Sequence, residues 1–233
     1  MPLTAQNILD RSSMIIQDLT NVRWPTTEIL NWLNDARREL AVVRPDIYST
    51  SATVTLAAGA KQSLPANGLR LMDVPRNSNG AAITITNRGF LDQQQPSWHQ
   101  STAVGGVIKH FMLDERDGKT FWVYPPALSS SSVEIIYQQA PSDYTAGSTL
   151  TAYEELYGGA MVDYICYRAF SKDSEYAGNA NRALAHYTQF INALQGGRMN
   201  DLGYSANQNN VGGAKNRPQG GGIGGMTVPQ RDN

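Results

Sequence analysis

The sequence predicts an α+β protein: a four-helix bundle with two helices from each end of the chain, an inserted, mainly antiparallel β region, and an extended C-terminal tail. Three observations predict it. Apolar residues recur three and four apart near both ends of the folded part. Between residues 49 and 148 they fall instead into short runs rich in β-branched and aromatic residues. From Gly196 onward aliphatic clusters vanish and glycine dominates. The expected organisation is a helical bundle from residues 1–48 and 149–195, a β-rich insertion at 49–148, and a Gly/Asn/Gln-rich tail at 197–233.

The first helix is expected over residues 5–19, with Thr4 as cap and Ile8, Leu9, Ile15, Ile16 and Leu19 on one face. The second follows Trp24-Pro25, with Thr26 capping and Glu28 in the first turn, where the helix dipole favours an acid. Its apolar face is Ile29, Leu33, Ala36, Leu40 and Val43. It should stop at Arg44, because Pro45 bars the preceding residue from helical geometry.

Five strand-like runs come next: Thr53–Leu56, Ile83–Thr86, Val107–Leu113, Thr120–Tyr124 and Val133–Tyr137. Gly59, Pro65, Asn67-Gly68, Asn79-Gly80, Pro96 and Pro125-Pro126 punctuate them, and Asp117-Gly118 should turn a hairpin. Helical reading resumes at Thr151, which forms a capping-box pattern with Glu154. The helix through Phe170 is apolar on more than one side (Leu156, Met161, Ile165, Cys166, Tyr167, Phe170), so it should lie central in the bundle or at a subunit contact. After a break near Ser171–Ser174, a fourth helix presents Ala177, Ala180, Leu184, Tyr187, Ile191 and Leu194. Gly196-Gly197 should end it.

The tail holds single apolar residues only. Ordering it costs about 1–2 kcal/mol per residue, more than such scattered side chains can offset alone. A segment of this kind suits docking on neighbouring subunits, with Met199, Leu202, Tyr204, Val211, Ile223, Met226 and Val228 as the anchors. The chain therefore reads as an assembly component.

Charge narrows the class further. Charged residues make up 17% of the chain, below the roughly 25% usual for soluble domains, which fits a surface that largely faces protein. The formal net charge is −1 and evenly spread, with no basic stripe, so tight binding to phosphates is disfavoured. One cysteine, Cys166, excludes an internal disulfide and a cysteine-built zinc site. No apolar run reaches membrane-spanning length, and the N-terminus lacks the pattern of a signal peptide; synthesis in a host cytoplasm is expected.

Catalytic and cofactor signatures are missing. There is no phosphate-binding loop, and Gly220–Gly225 lacks the flanking strand and helix of a dinucleotide site. His99, His110 and His186 have no second histidine at ligand spacing, so no metal is expected. Ser129–Ser132 has no nucleophile-elbow context. A glycosidase needs two carboxylates about 5–10 Å apart, one with a raised pKa. Asp114, Glu115, Glu154 and Glu155 are the best candidates, but turn acids are usually solvated and helix-start acids usually serve the dipole. The aromatic set Trp24, Trp32, Trp98, Trp122, Tyr48, Tyr124, Tyr153 and Tyr157 could stack single-stranded nucleic acid, yet no basic residues interleave with it. Core and subunit-contact roles are expected instead, and Cys166 should be a buried small hydrophobe. No catalytic residue, metal or cofactor is expected.

Several stretches together resemble the head-to-tail adaptor proteins of short-tailed, double-stranded-DNA bacteriophages. They are Glu28–Leu40, Arg44–Tyr48, Leu71–Asn77, Arg88–Asp92 with Pro96–Trp98, Phe121–Pro126 and, most distinctive, Asp163–Tyr176. The likeness covers residues 24–195. It implies a helical bundle with a β-rich insertion and a virion protein of the neck, the head-tail junction. It implies a ring of adaptor subunits, typically dodecameric, between portal and tail nozzle, extending the channel through which DNA passes without specific binding. Portal protein, nozzle protein and neighbouring copies are then the partners, and no membrane is involved. A ring uses two different faces of each protomer, which consumes surface, and a tail that orders on the portal would gain avidity from its many copies. The rival expectations are a virion-associated cell-wall hydrolase and a single-stranded nucleic-acid binder.

Overall fold

The computed structural model describes residues 2–100, 106–114, 116–173 and 175–204, with only the backbone given for the last seven. Met1–Gly196 form one compact unit; of a second unit, Gly197–Asn233, only residues 197–204 are described. The order is α1 (Ala5–Ile15), α2 (Thr26–Val43), β1 (Ser49–Thr55), β2 (Gly59–Ser63), β3 (Gly68–Asn77), β4 (Thr84–Ile85), α3 (Arg88–Gln94), β5 (His110–Leu113), β6 (Thr120–Ala127), β7 (Ser132–Gln139), α4 (Ala152–Leu156), α5 (Gly158–Lys172) and α6 (Ala177–Tyr204). The fold is the expected mixed one, with helices from both ends sharing a core and antiparallel sheets between them.

In α1 the Thr4 side chain accepts from Asn7 N–H while Asn7 caps the Thr4 backbone in return. The helix ends four residues earlier than its periodicity suggests. Gln17 and Asn21 take left-handed backbone angles (φ 59° and 52°), and the Asp18 carboxylate accepts the backbone N–H groups of Val22, Arg23 and Trp24. This local polar turn wins over helix continuation, leaving Leu19 71% exposed rather than on a buried face. In α2 the face Ile29, Leu33, Ala36 and Leu40 is fully buried. Pro25, not Thr26, stands at the cap, and no side chain bonds there; the Pro25 carbonyl accepts from Glu28 N–H at 2.8 Å.

The β region is two small sheets, ordered β1-β7-β3 and β2-β6-β5-β4. Every pairing is antiparallel except β4 with β5. Phe121 and Val123 of β6 and Val133, Ile135 and Tyr137 of β7 alternate inward and join Leu71 and Val74 of the irregular strand β3 in one apolar layer. The opposite face of β6 carries Trp122, which joins Trp98, Met112 and Ala60 in a second cluster. The segment around α3 covers that cluster: Trp98 Nε1 donates to Asp92, Tyr124 donates to Gln95, and the Arg88 guanidinium lies 4.7 Å from the Trp122 ring centroid. The expected hairpin at Asp117-Gly118 joins β5 to β6, with Leu113 opposite Phe121.

Ala5, Ile8, Leu9, Ile29, Leu33, Leu40, Met161, Ile165, Cys166, Phe190 and Leu194 unite α1, α2, α5 and α6 in one helical core. The helix expected from Thr151 to Phe170 is broken at Tyr157, whose backbone leaves helical geometry (φ −101°, ψ 10°). At Gly158, just after the break, a Cβ would meet Leu3 Cδ2 at 2.8 Å and Ile8 Cδ1 at 3.3 Å, so the missing side chain lets the start of α5 lie close against the N-terminal segment. The break leaves Leu156 79% exposed, outside the face it was assigned to. Among the described side chains of α6, Asn179, Ala183, Phe190 and Leu194 are buried and Ile191 packs partly against the core, so the expected stripe holds at Ile191 and Leu194, while Ala180, Leu184 and Tyr187 are exposed. Gly196-Gly197 do not end α6, which runs on to Tyr204; a helical glycine costs about 1 kcal/mol without forbidding the helix.

Candidate functional site

Between β7 and α4 the chain runs as a strap from Ala140 to Thr151, and the strap is zipped to both N-terminal helices. Ala5 N–H donates to Ser148 O, Gln6 N–H to Ala146 O, and Leu150 N–H to Leu3 O. Asn34 on α2 both donates to Tyr144 O (3.2 Å) and accepts from Tyr144 N–H (2.8 Å).

At its centre lies Glu154, fully buried. Its carboxylate accepts from Arg37 Nε at 2.7 Å and from Tyr48 Oη at 2.7 Å. It also accepts from the Tyr144 hydroxyl and from Thr151 N–H and Oγ1, each of the last two at 3.0 Å. Arg37 is itself buried, donates to the Ser142 carbonyl, and sits 3.3 Å from the Tyr144 ring centroid. Burial alone would push the Glu154 carboxyl up; the hydrogen bonds from Tyr144, Tyr48, Thr151 and Arg37 outweigh it and hold the group below its ordinary value. The two phenols move the other way. Burial and then the bond to Glu154 raise Tyr48, and the same causes push Tyr144 up to about 12.

A general acid must hold its proton near neutral pH. Glu154 is arranged for the reverse, as an anchor held ionised at neutral pH that joins α2, the turn after it, the strap and α4. The neighbouring candidate, Glu155, accepts the Leu3 backbone N–H at 2.6 Å. Asp114 sits in the β5–β6 turn and accepts from Arg116 N–H at 3.0 Å. Glu115 lies outside the described residues. The sequence assigned Glu154 to the helix dipole; the capping box is present, but the residue is foremost a buried counter-ion. The signal that could have exposed it is Arg37, one turn after Leu33 on a helix otherwise apolar on that side.

Most of the other singled-out side chains serve packing; Tyr153, 65% exposed, does not. Trp24, Trp32, Trp98 and Trp122 are all buried, so none presents a stacking face to a nucleic acid. His186 bonds Asp163 at 2.8 Å and stacks on Phe170, fixing α6 against α5, and His99 stacks on Trp98. Burial pushes the Cys166 thiol up to about 12. Among the described residues no group of acids, histidines and cysteine could hold a metal ion, and no helix is long and apolar enough to cross a membrane.

Surface features are more suggestive of contact than of chemistry. The turn after α1 exposes Leu19 and Val22 on the rigid frame that Asp18 builds, and α6 exposes Leu184 and Tyr187. A groove of about 400 Å³ opens between the end of α2 and strands β3 and β7, lined by Ala41, Val42, Leu69 and Pro141 with Arg38 and Arg70 at its sides. Of the tail anchors, Met199, Leu202 and Tyr204 fall on the last turns of α6, where only backbone is described, and Val211, Ile223, Met226 and Val228 lie outside the described residues.

A mixed fold whose best acid is locked into a structural clamp, and which displays apolar side chains on a turn and a helix face, suits a protein that works by contact. The family comparison agrees: the SU10 adaptor protein family matches residues 3–213, nearly the whole chain, and the chain belongs to it. It is thus a bacteriophage adaptor, a structural component of the virion that binds head or tail parts. No curated protein sequence matches the chain.

Proposed function

We propose that this adaptor forms a dodecameric ring between portal and tail nozzle, extending the DNA channel, and that its C-terminal tail docks along the portal. Membership of the adaptor family carries the reading. Three features support it. The near-neutral, evenly spread charge would let DNA pass without firm phosphate contacts. Exposed apolar residues on separate elements, the turn after α1 and the outer stripe of α6, suit the two unlike faces that a ring requires. The single-residue spacing of Met199, Leu202, Tyr204, Val211, Ile223, Met226 and Val228 suits a segment that gains order from a partner's surface. The family match runs only to residue 213, so Ile223, Met226 and Val228 stand on that argument alone.

The test is native mass spectrometry of purified chain mixed with purified portal, with and without residues 197–233. The full chain should load the portal as a closed ring. The truncated chain, which keeps the core residues Phe190 and Leu194 of α6, should stay folded and soluble but lose portal binding. Undiminished binding by the truncated chain refutes tail docking. Peptidoglycan release by the purified protein, abolished by Glu155→Gln or Asp114→Asn, would replace the whole reading with that of a cell-wall hydrolase.

A further inference from the structure

We propose that β1 is a self-pairing edge, through which two copies of this chain join about a two-fold axis with Thr53 opposite Thr53. The inference stands apart from the ring reading and concerns the chain before it meets any other virion component.

Sheet edges expose unpaired backbone groups, and proteins blunt them with charges, prolines, bulges or brevity. Three of the four edges here are blunted. The outer strand β3 has three breaks in register and carries Arg70, Asp73, Pro75 and Arg76. The outer strand β2 has a break and Lys61, and β4 is two residues long. The fourth edge, β1, has none of these devices. Its sequence Ser-Thr-Ser-Ala-Thr-Val-Thr is uncharged, and its seven residues pair with β7 in unbroken register, Ser49 opposite Gln138 through Thr55 opposite Ser132.

The direction of its backbone groups follows from one hydrogen bond. Leu56 N–H donates to Ser131 O at 2.8 Å, so Leu56, Val54, Ala52 and Thr50 turn toward β7, and Ser51, Thr53 and Thr55 turn outward. The far side of β7 agrees, since Ser132 O accepts from Ser78 N–H beside β3. Ser49 N–H is already taken by Asp46 O. Among the described residues nothing hydrogen-bonds to the outward N–H and C=O groups of Ser51, Thr53 and Thr55.

Those three residues are symmetric about Thr53. An antiparallel copy of the same strand therefore offers an acceptor for each donor and a donor for each acceptor: Thr53 to Thr53, Ser51 to Thr55, Thr55 to Ser51. No like charges meet across the axis, and the three-stranded sheets fuse into one of six strands. A second copy is the occupant whose complementarity this symmetry guarantees.

The test uses the full chain. In a Thr53→Cys variant the added thiol is the accessible one, because Cys166 is buried. Across a hydrogen-bonded antiparallel pair the Cα atoms lie about 5.5 Å apart, within disulfide range. Mild oxidation should give a covalent dimer on non-reducing gels, far beyond that of a Gln189→Cys control on the exposed side of α6. Light scattering should find wild-type dimer at high concentration. Thr53→Lys should weaken dimerisation about tenfold or more by opposing like charges. Thr53→Pro should do the same while keeping its melting temperature, because the lost N–H faces outward and no bond to β7 depends on it. A wild-type chain monomeric to millimolar concentration, without cross-linking above control, overturns the proposal. So does dimerisation undiminished in both the Lys and Pro variants. Loss of portal binding by Thr53→Pro in a chain that is otherwise monomeric would assign the edge to a portal strand instead.

Discussion

Replacing Arg37 by alanine should be among the most damaging single changes in the molecule. The substitution leaves Glu154 fully buried with hydroxyl and amide donors from Tyr48, Tyr144 and Thr151 but no cation, and strips the Ser142 carbonyl of its donor. Breaking a buried pair by removing one partner costs about 3–5 kcal/mol. At about 2–4 °C per kcal/mol for a chain of this size, thermal unfolding followed by circular dichroism should fall by roughly 6–20 °C at pH 7. A double variant, Arg37→Met with Glu154→Met, should recover much of the loss, since an apolar pair of similar volume leaves no orphaned charge. The reasoning fails if Arg37→Ala alone costs less than about 1 kcal/mol, the value of an exposed ion pair.

The same clamp fixes a pH dependence. Glu154 is held below its ordinary value in the folded state, so its stabilisation is complete above the unfolded carboxyl value of about 4.3 and is lost as pH falls through the folded value. The stability gap between wild type and Glu154→Gln, measured by urea unfolding, should narrow from pH 7 to pH 3; a widening gap contradicts the assignment. Thr151→Ala, which removes both a helix cap and a donor to Glu154, should cost about 1 kcal/mol or somewhat more by the same assay. Leu33→Ala, at a fully buried site in the helical core, should cost about 2–5 kcal/mol. The Cys166 thiol, pushed up to about 12 by burial, should resist iodoacetamide at pH 8 in the native protein and react promptly in denaturant.

The helical half of the fold was legible because its residues obey a period. Ile29, Leu33, Ala36 and Leu40 mark the buried face of α2, and the Thr151–Glu154 cap is visible by spacing. Misreadings occurred where a local polar or steric event overrode that period. Asp18 collected three backbone N–H groups and stopped α1, and the close approach of Leu3 to Gly158 accompanies the break at Tyr157. On α6 Phe190 rather than Tyr187 is buried, its ring meeting Tyr164 of α5 edge-on at 5.1 Å, a contact that no pattern within α6 encodes. Strands β2 and β3 went unseen because Gly59–Ser63 and Gly68–Asn77 carry Lys, Arg, Asp and Pro, residues of an outer strand rather than a core one. The clamp was half legible: Glu154 stood out as a cap, but its partners Arg37, Tyr48 and Tyr144 lie 117, 106 and 10 residues away, distances at which only the fold brings groups together.

The most direct test of the account is the mass of the complex formed when purified portal meets the full chain. A closed ring of adaptor copies on each portal, lost on deleting residues 197–233, is the expected result. A portal that acquires no adaptor mass, or a truncated chain that loads as well as the intact one, would contradict it.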